Sequence, residues 1–311
     1  MNGEVARIAV SGATGLVGSA LVERLNQLER QVIRLTRSRL IAAEREDSVF
    51  WDPLINQVDV ERLEELKPEA VVHLAGESIQ GRWSEEKKKE ILRSREEGTR
   101  LLAKTLASME NRPSLLISAS AVGYYGNRGE EELSEESDPG YTFLAEVAKR
   151  WEAACQPARE AGIRVVNLRI GMVLSRRGGA LAKLIPPFRL GLGGRVGSGL
   201  QWWSWISLVD LVDIILFLLL RSDTQGPINA VSPQPVRNVE FTRELARILR
   251  RPAILPLPEF MVRLLFGQMG EELLLASTRA LPQRLEELGF SFRLPTLADA
   301  LEYHLFEEAA A

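Results

Sequence analysis

Apolar residues along the first two-thirds of the chain fall into two alternating periods. Short, nearly continuous apolar runs occur around Ile8 and Val10 and at residues 31–36, 49–51, 70–75, 115–118 and 165–169. Their length and lack of polar interruption predict strands buried on both faces of a parallel sheet. Between them lie stretches of helical spacing: 16–28, where Leu16, Val17, Ala20, Leu21, Leu25 and Leu28 share a face, a weaker one at 60–66, then 84–109 and 143–160. After Gly171 the rhythm changes. A glycine-rich stretch at 191–199 precedes Gln201, Trp202, Trp203 and Trp205, and a helical segment at 208–220 follows. Pro227, Pro233, Pro235, Pro252, Pro256 and Pro258 then punctuate a region with short helical patterns at 239–249, 259–266 and 297–305, and the tail from 307 to 311 is expected to fray.

Strand and helix in alternation imply right-handed crossovers and an α/β fold, a doubly wound Rossmann sheet with a smaller C-terminal substrate lobe. The expected division is 1–170 for the nucleotide-binding domain, with 205–232 contributing back to it, and 171–204 with 233–311 for the lobe. The first strand stops at Gly12-Ala-Thr14-Gly15-Leu16-Val17-Gly18 and a helix begins at once. Glycines at this spacing permit a sharp turn, backbone approach to a pyrophosphate and close packing of helix on strand, with the positive helix end facing the phosphates. The spacing is G-x-x-G-x-x-G rather than G-x-G-x-x-G. Dinucleotide binding is therefore predicted at Gly12, Thr14, Gly15, Leu16, Val17 and Gly18.

Composition narrows the setting. The 311 residues include 45% hydrophobic ones, enough for a sizeable core, and the net charge of −3 gives no reason to expect nucleic acid or an anionic membrane as partner. A single cysteine, Cys155, excludes an intrachain disulfide, and with two histidines it makes no ordinary zinc site, so no metal is expected. The run 206–220 contains Asp210 and Asp213, leaving 214–220 too short to span a bilayer. A soluble protein of the reducing cytoplasm is expected, with a small-molecule substrate as partner and a homodimer left open.

Several blocks in order along the chain resemble one family, the epimerase-like (sugar nucleotide epimerase-like) branch of the extended short-chain dehydrogenases/reductases. They are S-G-A-T-G-L-V-G (11–18), L-T-R-S (35–38), W-D-P (51–53), H-L-A-G-E-S-I (73–79), S-A-V-G-Y-Y-G (120–126), W-E-A-A (151–154), R-I-G-M-V-L (169–174), G-L-G-G-R-V-G-S-G-L-Q (191–201), S-W-I (204–206) and I-L-P-L-P (254–258). The resemblance implies NAD(P) binding and an oxidoreductase or epimerase reaction on a small polar carbonyl or hydroxyl compound of the nucleotide-sugar kind. It also implies that the backbone at Leu74, Ala75 and Gly76 passes the adenine and ribose, and that Glu90 and Arg95 on the next helix lie near the cofactor. For Glu90, one more solvated charge in the run 85–90 is the alternative.

Cofactor preference is read at the end of the second strand, where a carboxylate would accept the adenosine ribose hydroxyls. Leu35-Thr36-Arg37-Ser38-Arg39 has none. Arg37 can instead pair with a 2′-phosphate, with Thr36 or Ser38 adding a hydroxyl, which favours NADP(H); a solvated basic turn is the alternative.

The catalytic pattern departs from the superfamily. Ser120 suits the serine that holds a substrate oxygen, at the carboxyl edge of the fifth strand, but Tyr-x-x-x-Lys is absent. Leu144 and Ala148 stand at the expected Tyr and Lys positions, and Lys149 is one residue off, about 100° round a helix. Either the proton donor has moved, with Tyr124 ahead of Tyr125, or hydride transfer is weak or lost and the chain is a cofactor-binding protein. Both tyrosines could equally be packing residues. The 191–199 segment is expected to be mobile or tightly turned, and beside the tryptophans it could close over a substrate or pack between lobes. Ser207 stands where the family usually has a histidine, and His73, His304 and Cys155 are read as structural.

Overall fold

The computed structural model describes residues 6–307, so residues 308–311 of the tail expected to fray lie outside the described residues. Its centre is an 8-stranded sheet built from β1 (Arg7–Ser11), β2 (Gln31–Thr36), β3 (Ser48–Asp52), β4 (Gln57–Val58), β5 (Ala70–His73), β6 (Leu115–Ala121), β7 (Arg164–Ile170) and β8 (Gly226–Ala230). The strand order is 8-7-6-5-1-2-3-4, and every pairing is parallel except that of β3 with the short edge strand β4. The order reverses between β1 and β5, and in such sheets ligands bind at the carboxyl ends of the strands beside that switch point.

Both faces are covered because successive side chains of a strand point to opposite sides. Ile8 and Val10 of β1 pack with Leu21 and Leu25 of α1 (Leu16–Gln27) and with Leu211, Ile215 and Leu218 of α8 (Leu208–Leu220). Ala9 points the other way, into a cluster with Leu102 and Leu106 of α4 (Glu85–Ser108) and Cys155. Fully burying one such leucine contributes roughly 1.5–3 kcal/mol, which is why apolar runs this dense settle in the middle of the sheet. A separate cluster forms the C-terminal lobe. It joins Leu181, Ile185 and Phe188 of α7 (Gly179–Arg189), Phe241 and Leu245 of α9 (Asn238–Leu249), Leu301 of the helix Leu297–Glu302, and, from outside these helices, Trp203 and Trp205.

Local differences from the sequence reading have local causes. β6 runs to Ala121, so Ser120 is the penultimate residue of the strand rather than one that follows it. The helix expected over 143–160 divides into α5 (Phe143–Ala153) and α6 (Gln156–Glu160), with Pro157 in the first turn of the second, where its missing N–H costs nothing. Helix α7 was masked by its internal Pro186 and Pro187. The last helix stops at Glu302 and continues as a wider π-type turn over Tyr303–Glu307.

Candidate active site

The turn between β1 and α1 is closed by the three glycines, each for a steric reason. Gly12 has φ +70, and a Cβ there would come 2.9 Å from the Ala75 nitrogen at the end of β5. Gly15 N–H donates to Gly12 O at 2.9 Å, and a Cβ on Gly18 would lie 2.1 Å from that same oxygen. Gly15 is the N-cap of α1, with no side-chain cap and no acidic residue in the first turn. The first-turn amides are thus left for an outside acceptor, at the positive end of the helix. Thr14 and Gly15 are exposed there, while Leu16 and Val17 turn inward onto the core.

The neighbouring strand ends converge on this turn. Ser11 Oγ accepts from Leu74 N–H at 3.1 Å and Ala75 N–H at 3.3 Å, which sends its own proton to His73 Nδ1 at 2.6 Å. That bond fixes the tautomer, and His73 Nε2–H donates to Thr99 Oγ1 at 2.9 Å. Burial, reinforced by Arg95, pushes the imidazole down to about 4, so His73 is a neutral strut under the β5 loop. Gly76 passes directly over Arg95: a Cβ there would be 3.2 Å from the guanidinium carbon. Arg95 Nη1 donates to Glu77 O at 2.9 Å, and its guanidinium lies 4.9 Å from the Trp151 ring centroid. Burial lowers its pKa to about 10, which still leaves it charged at neutral pH.

Arg37 is exposed beyond β2 and close enough to Glu77 to help lower that carboxyl's pKa, although the hydrogen bond from Lys87 is the larger cause. Thr36 Oγ1 accepts from Ser38 N–H at 3.2 Å, and Ser38 Oγ caps the helix α2 (Arg39–Glu44), so the turn carrying Arg37 is braced by both hydroxyls. Glu90 is exposed on α4, with Lys87 Nζ at 3.8 Å. Lys87 also binds Glu77.

Ser120 sits in a buried polar network that the sequence reading missed. Its Oγ donates to Glu152 Oε1 at 2.7 Å. Glu152 is paired at two points with Arg169, Nε to Oε1 at 2.9 Å and Nη2 to Oε2 at 3.1 Å. Arg169 Nη1 donates to Tyr125 OH at 3.0 Å and Glu135 O at 3.1 Å, and Tyr125 OH donates to Asn229 Oδ1 at 2.7 Å. The Arg169 guanidinium also lies 3.5 Å from the centroid of Tyr124, which is half-buried on the 3-10 turn Val122–Tyr125 following β6. With its proton committed to the Glu152 carboxylate, Ser120 has only acceptor capacity left for a ligand. The signal was present in the sequence: Arg169 is a charged residue inside a strand whose other charge, Arg164, stands at its first position, and a charge buried there is rare unless it is paired. On α5, Ala148 is buried and Leu144 packs under Gly123, while Lys149 turns outward to Glu146 at 2.7 Å. Among the described residues no lysine hydrogen-bonds to either tyrosine, and the cation against both rings is Arg169.

A profile of the NAD dependent epimerase/dehydratase family matches residues 8–231, and one of a domain of unknown function, DUF1731, matches residues 257–303. The chain belongs to the NAD dependent epimerase/dehydratase family. It is 40% identical over 297 residues to an epimerase family protein of Mycobacterium bovis, covering 95% of this chain and 96% of that one. The crystal structure of the human epimerase family protein SDR39U1 (isoform 2) with NADPH superposes with a TM-score of 0.86 at 33% identity, over 96% of this chain and 98% of that one. A nucleoside-diphosphate sugar epimerase of Corynebacterium glutamicum gives a TM-score of 0.80 at 38% identity, over 98% of this chain but 59% of that longer one. The chain is thus an extended short-chain dehydrogenase/reductase of the epimerase type, a fold family that binds NAD(P).

Within this family framework the lobe is firmly built. The 191–199 segment is tightly turned and bonded. Gly197 N–H donates to Leu257 O at 2.8 Å, Leu257 N–H to Arg195 O at 2.8 Å, and Val196 N–H to Asn238 Oδ1 at 2.8 Å. Trp203 and Trp205 are core residues of the lobe, and only Trp202 is partly open, between Arg237 and Arg279. Where the family usually has a histidine, Ser207 meets His304 Nε2 at 3.1 Å, so an imidazole reaches the position from 97 residues further on. Cys155 is buried and its thiol is pushed up by burial, as an inert thiol should be.

Proposed function

We propose that the chain is an NADP(H)-dependent oxidoreductase or epimerase acting on a small polar hydroxyl or carbonyl compound, with nucleoside-diphosphate sugars, the class named for the Corynebacterium relative, as the first candidates. The observation that carries the cofactor part is the glycine turn, where a Cβ at Gly12 would meet the Ala75 backbone and one at Gly18 the Gly12 carbonyl, so that only glycines let the turn close this tightly in front of uncapped α1 amides. Those amides hold the pyrophosphate, and Arg37, beyond a β2 end that lacks a carboxylate, pairs with the 2′-phosphate. NADP(H), when bound, supplies the hydride chemistry. Ser120 orients a substrate hydroxyl by accepting its hydrogen bond, and the Tyr124 hydroxyl, on the adjoining turn, carries the proton. Calorimetric titration tests the cofactor assignment. NADPH is expected to bind about tenfold to a hundredfold more tightly than NADH, and Arg37→Ala to remove the difference. Equal affinities in the unmodified protein would refute it.

A second reading, a cofactor-binding protein with little turnover, is favoured by Leu144 and Ala148 at the positions of the usual Tyr and Lys. Tight NADPH binding with no turnover across a panel of carbonyl compounds and nucleotide sugars would select it.

A further inference from the structure

Arginine side chains of this protein are mostly engaged, by carboxylates, backbone carbonyls or aromatic rings. Arg189, Arg243, Arg250 and Arg251 are different. Among the described residues their guanidinium groups make no hydrogen bond or ion pair, and they line two adjoining depressions at the C-terminal end of α9, with Arg250 and Arg251 common to both. A cavity of about 560 Å³ there is walled by Arg189 from the last turn of α7, by Arg247, Arg250 and Arg251, and also by Glu302 and Phe306. Arg243 lines an adjoining depression that shares Arg247, Arg250 and Arg251.

The local acceptors are already taken. Arg247 binds Glu244 at 2.7 Å and Glu302 at 3.2 Å, so the carboxylate in the cavity wall is spent on a fifth arginine. The end of α9 is closed by backbone amides, Arg251 N–H to Ala246 O at 3.0 Å and Arg250 N–H to Arg247 O at 3.1 Å, rather than by guanidinium groups. Arg250 also holds a left-handed conformation, φ 52, at a helix end where glycine is the unstrained choice. Like charges gathered around one concavity repel each other unless a counter-charge enters. We infer that this cavity is a binding site for a multiply charged, phosphate-bearing anion, separate from the dinucleotide cradle.

The chemistry favours phosphate because planar guanidinium forks pair with its oxygens two at a time, and several forks around one concavity suit an anion with three or more charges. The volume admits an oligophosphate group. No wall residue comes from the carboxyl edge of the sheet, so occupancy here is independent of the cofactor cradle. A free oligophosphate and a phosphate headgroup at a lipid surface present the same chemistry, and exposed Phe306 in the cavity wall, with exposed Leu190 next to Arg189 in the chain, makes the second source worth a separate arm.

The test is titration of the full chain, in saturating NADPH, with inorganic tripolyphosphate, and in parallel sedimentation with phosphatidylglycerol vesicles against phosphatidylcholine vesicles. The variants are Arg189→Ala and the pair Arg250→Gly with Arg251→Ala; all three residues are exposed, and glycine suits the left-handed position. Tripolyphosphate is expected to bind, and each variant to weaken it by about tenfold or more. Saturable vesicle binding lost in the same variants would support the site and identify the source as a headgroup. Binding of neither probe, affinity unchanged in the variants, or citrate bound as tightly as tripolyphosphate would overturn the proposal.

Discussion

Ser120 Oγ lies 2.7 Å from Glu152 Oε1, and that carboxylate is clasped by Arg169, whose side chain is only 4% exposed. Ser120 is therefore tied to a buried ion pair at the sheet edge. Removing one partner of such a pair leaves an uncompensated charge, which costs about 3–5 kcal/mol, whereas losing one hydrogen bond to a charged group costs about 1.5–3 kcal/mol. Glu152→Ala should accordingly destabilise the fold more than Ser120→Ala in urea unfolding, and the double variant should cost less than the sum. Additive effects, or a Glu152→Ala cost below about 1 kcal/mol, would mean that the pair is not a structural unit.

His73 gives the fold a defined acid sensitivity. Its pKa is about 4 in the folded chain, against the ordinary 6.5, chiefly because the ring is buried. The unfolded chain binds the extra proton between these values, so stability is full above pH 6.5 and falls as the pH drops towards 4, by at most about 3 kcal/mol from this group. His73→Gln should flatten the stability profile over that window while lowering its plateau through lost hydrogen bonds. An unchanged slope in the variant would show that other groups set the acid limb.

The glycine-rich segment of the lobe behaves as scaffold. A Cβ on Gly194 would lie 1.9 Å from Leu255 O, and the strand-like contact of Val196 with Leu257 joins the two segments. Gly194→Ala should cost about 2 kcal/mol or more, because backbone rather than a flexible side chain must move. The amides of Gly197 and Leu257 should exchange slowly in the free protein and change little when NADPH is added. Rapid exchange at both would restore the picture of a loop that closes.

Local pattern made the sheet legible: the apolar runs marked β1, β2, β5, β6 and β7, and the glycine turn identified itself by its place between β1 and α1. What stayed hidden was long-range pairing. Glu152 and Arg169 are 17 residues apart, on a helix and a strand, and Ser207 and His304 are 97 apart. No periodicity encodes such contacts, since each partner looks like an ordinary polar residue of its own element until the fold brings them together. Helix α7 is different: it holds Pro186 and Pro187, residues that ordinarily disrupt a helix interior, yet the apolar spacing Leu181, Ile185, Phe188 still buries one face.

Burial decides between the candidate proton carriers. Tyr141 is fully exposed on the outside of the molecule. Tyr125 is buried, donates to Asn229, accepts from Arg169, and is pushed up to about 12 by burial, so it is poorly matched to proton transfer near neutrality. Tyr124 is half-buried, four residues after Ser120, with its ring against Arg169. Tyr125→Phe should therefore lower stability by about 1–3 kcal/mol, by stranding buried partners. Tyr124→Phe should leave stability and NADPH affinity nearly unchanged, yet lower turnover by on the order of a hundredfold or more, since general acid–base catalysis typically contributes 10² to 10⁴. The measurement is a pair of unfolding curves beside steady-state rates on whichever nucleotide sugar or carbonyl compound the unmodified protein converts. Full turnover in Tyr124→Phe would exclude that hydroxyl as the proton carrier, and would point to a proton delivered by solvent at an edge where Ser120 only positions the substrate oxygen.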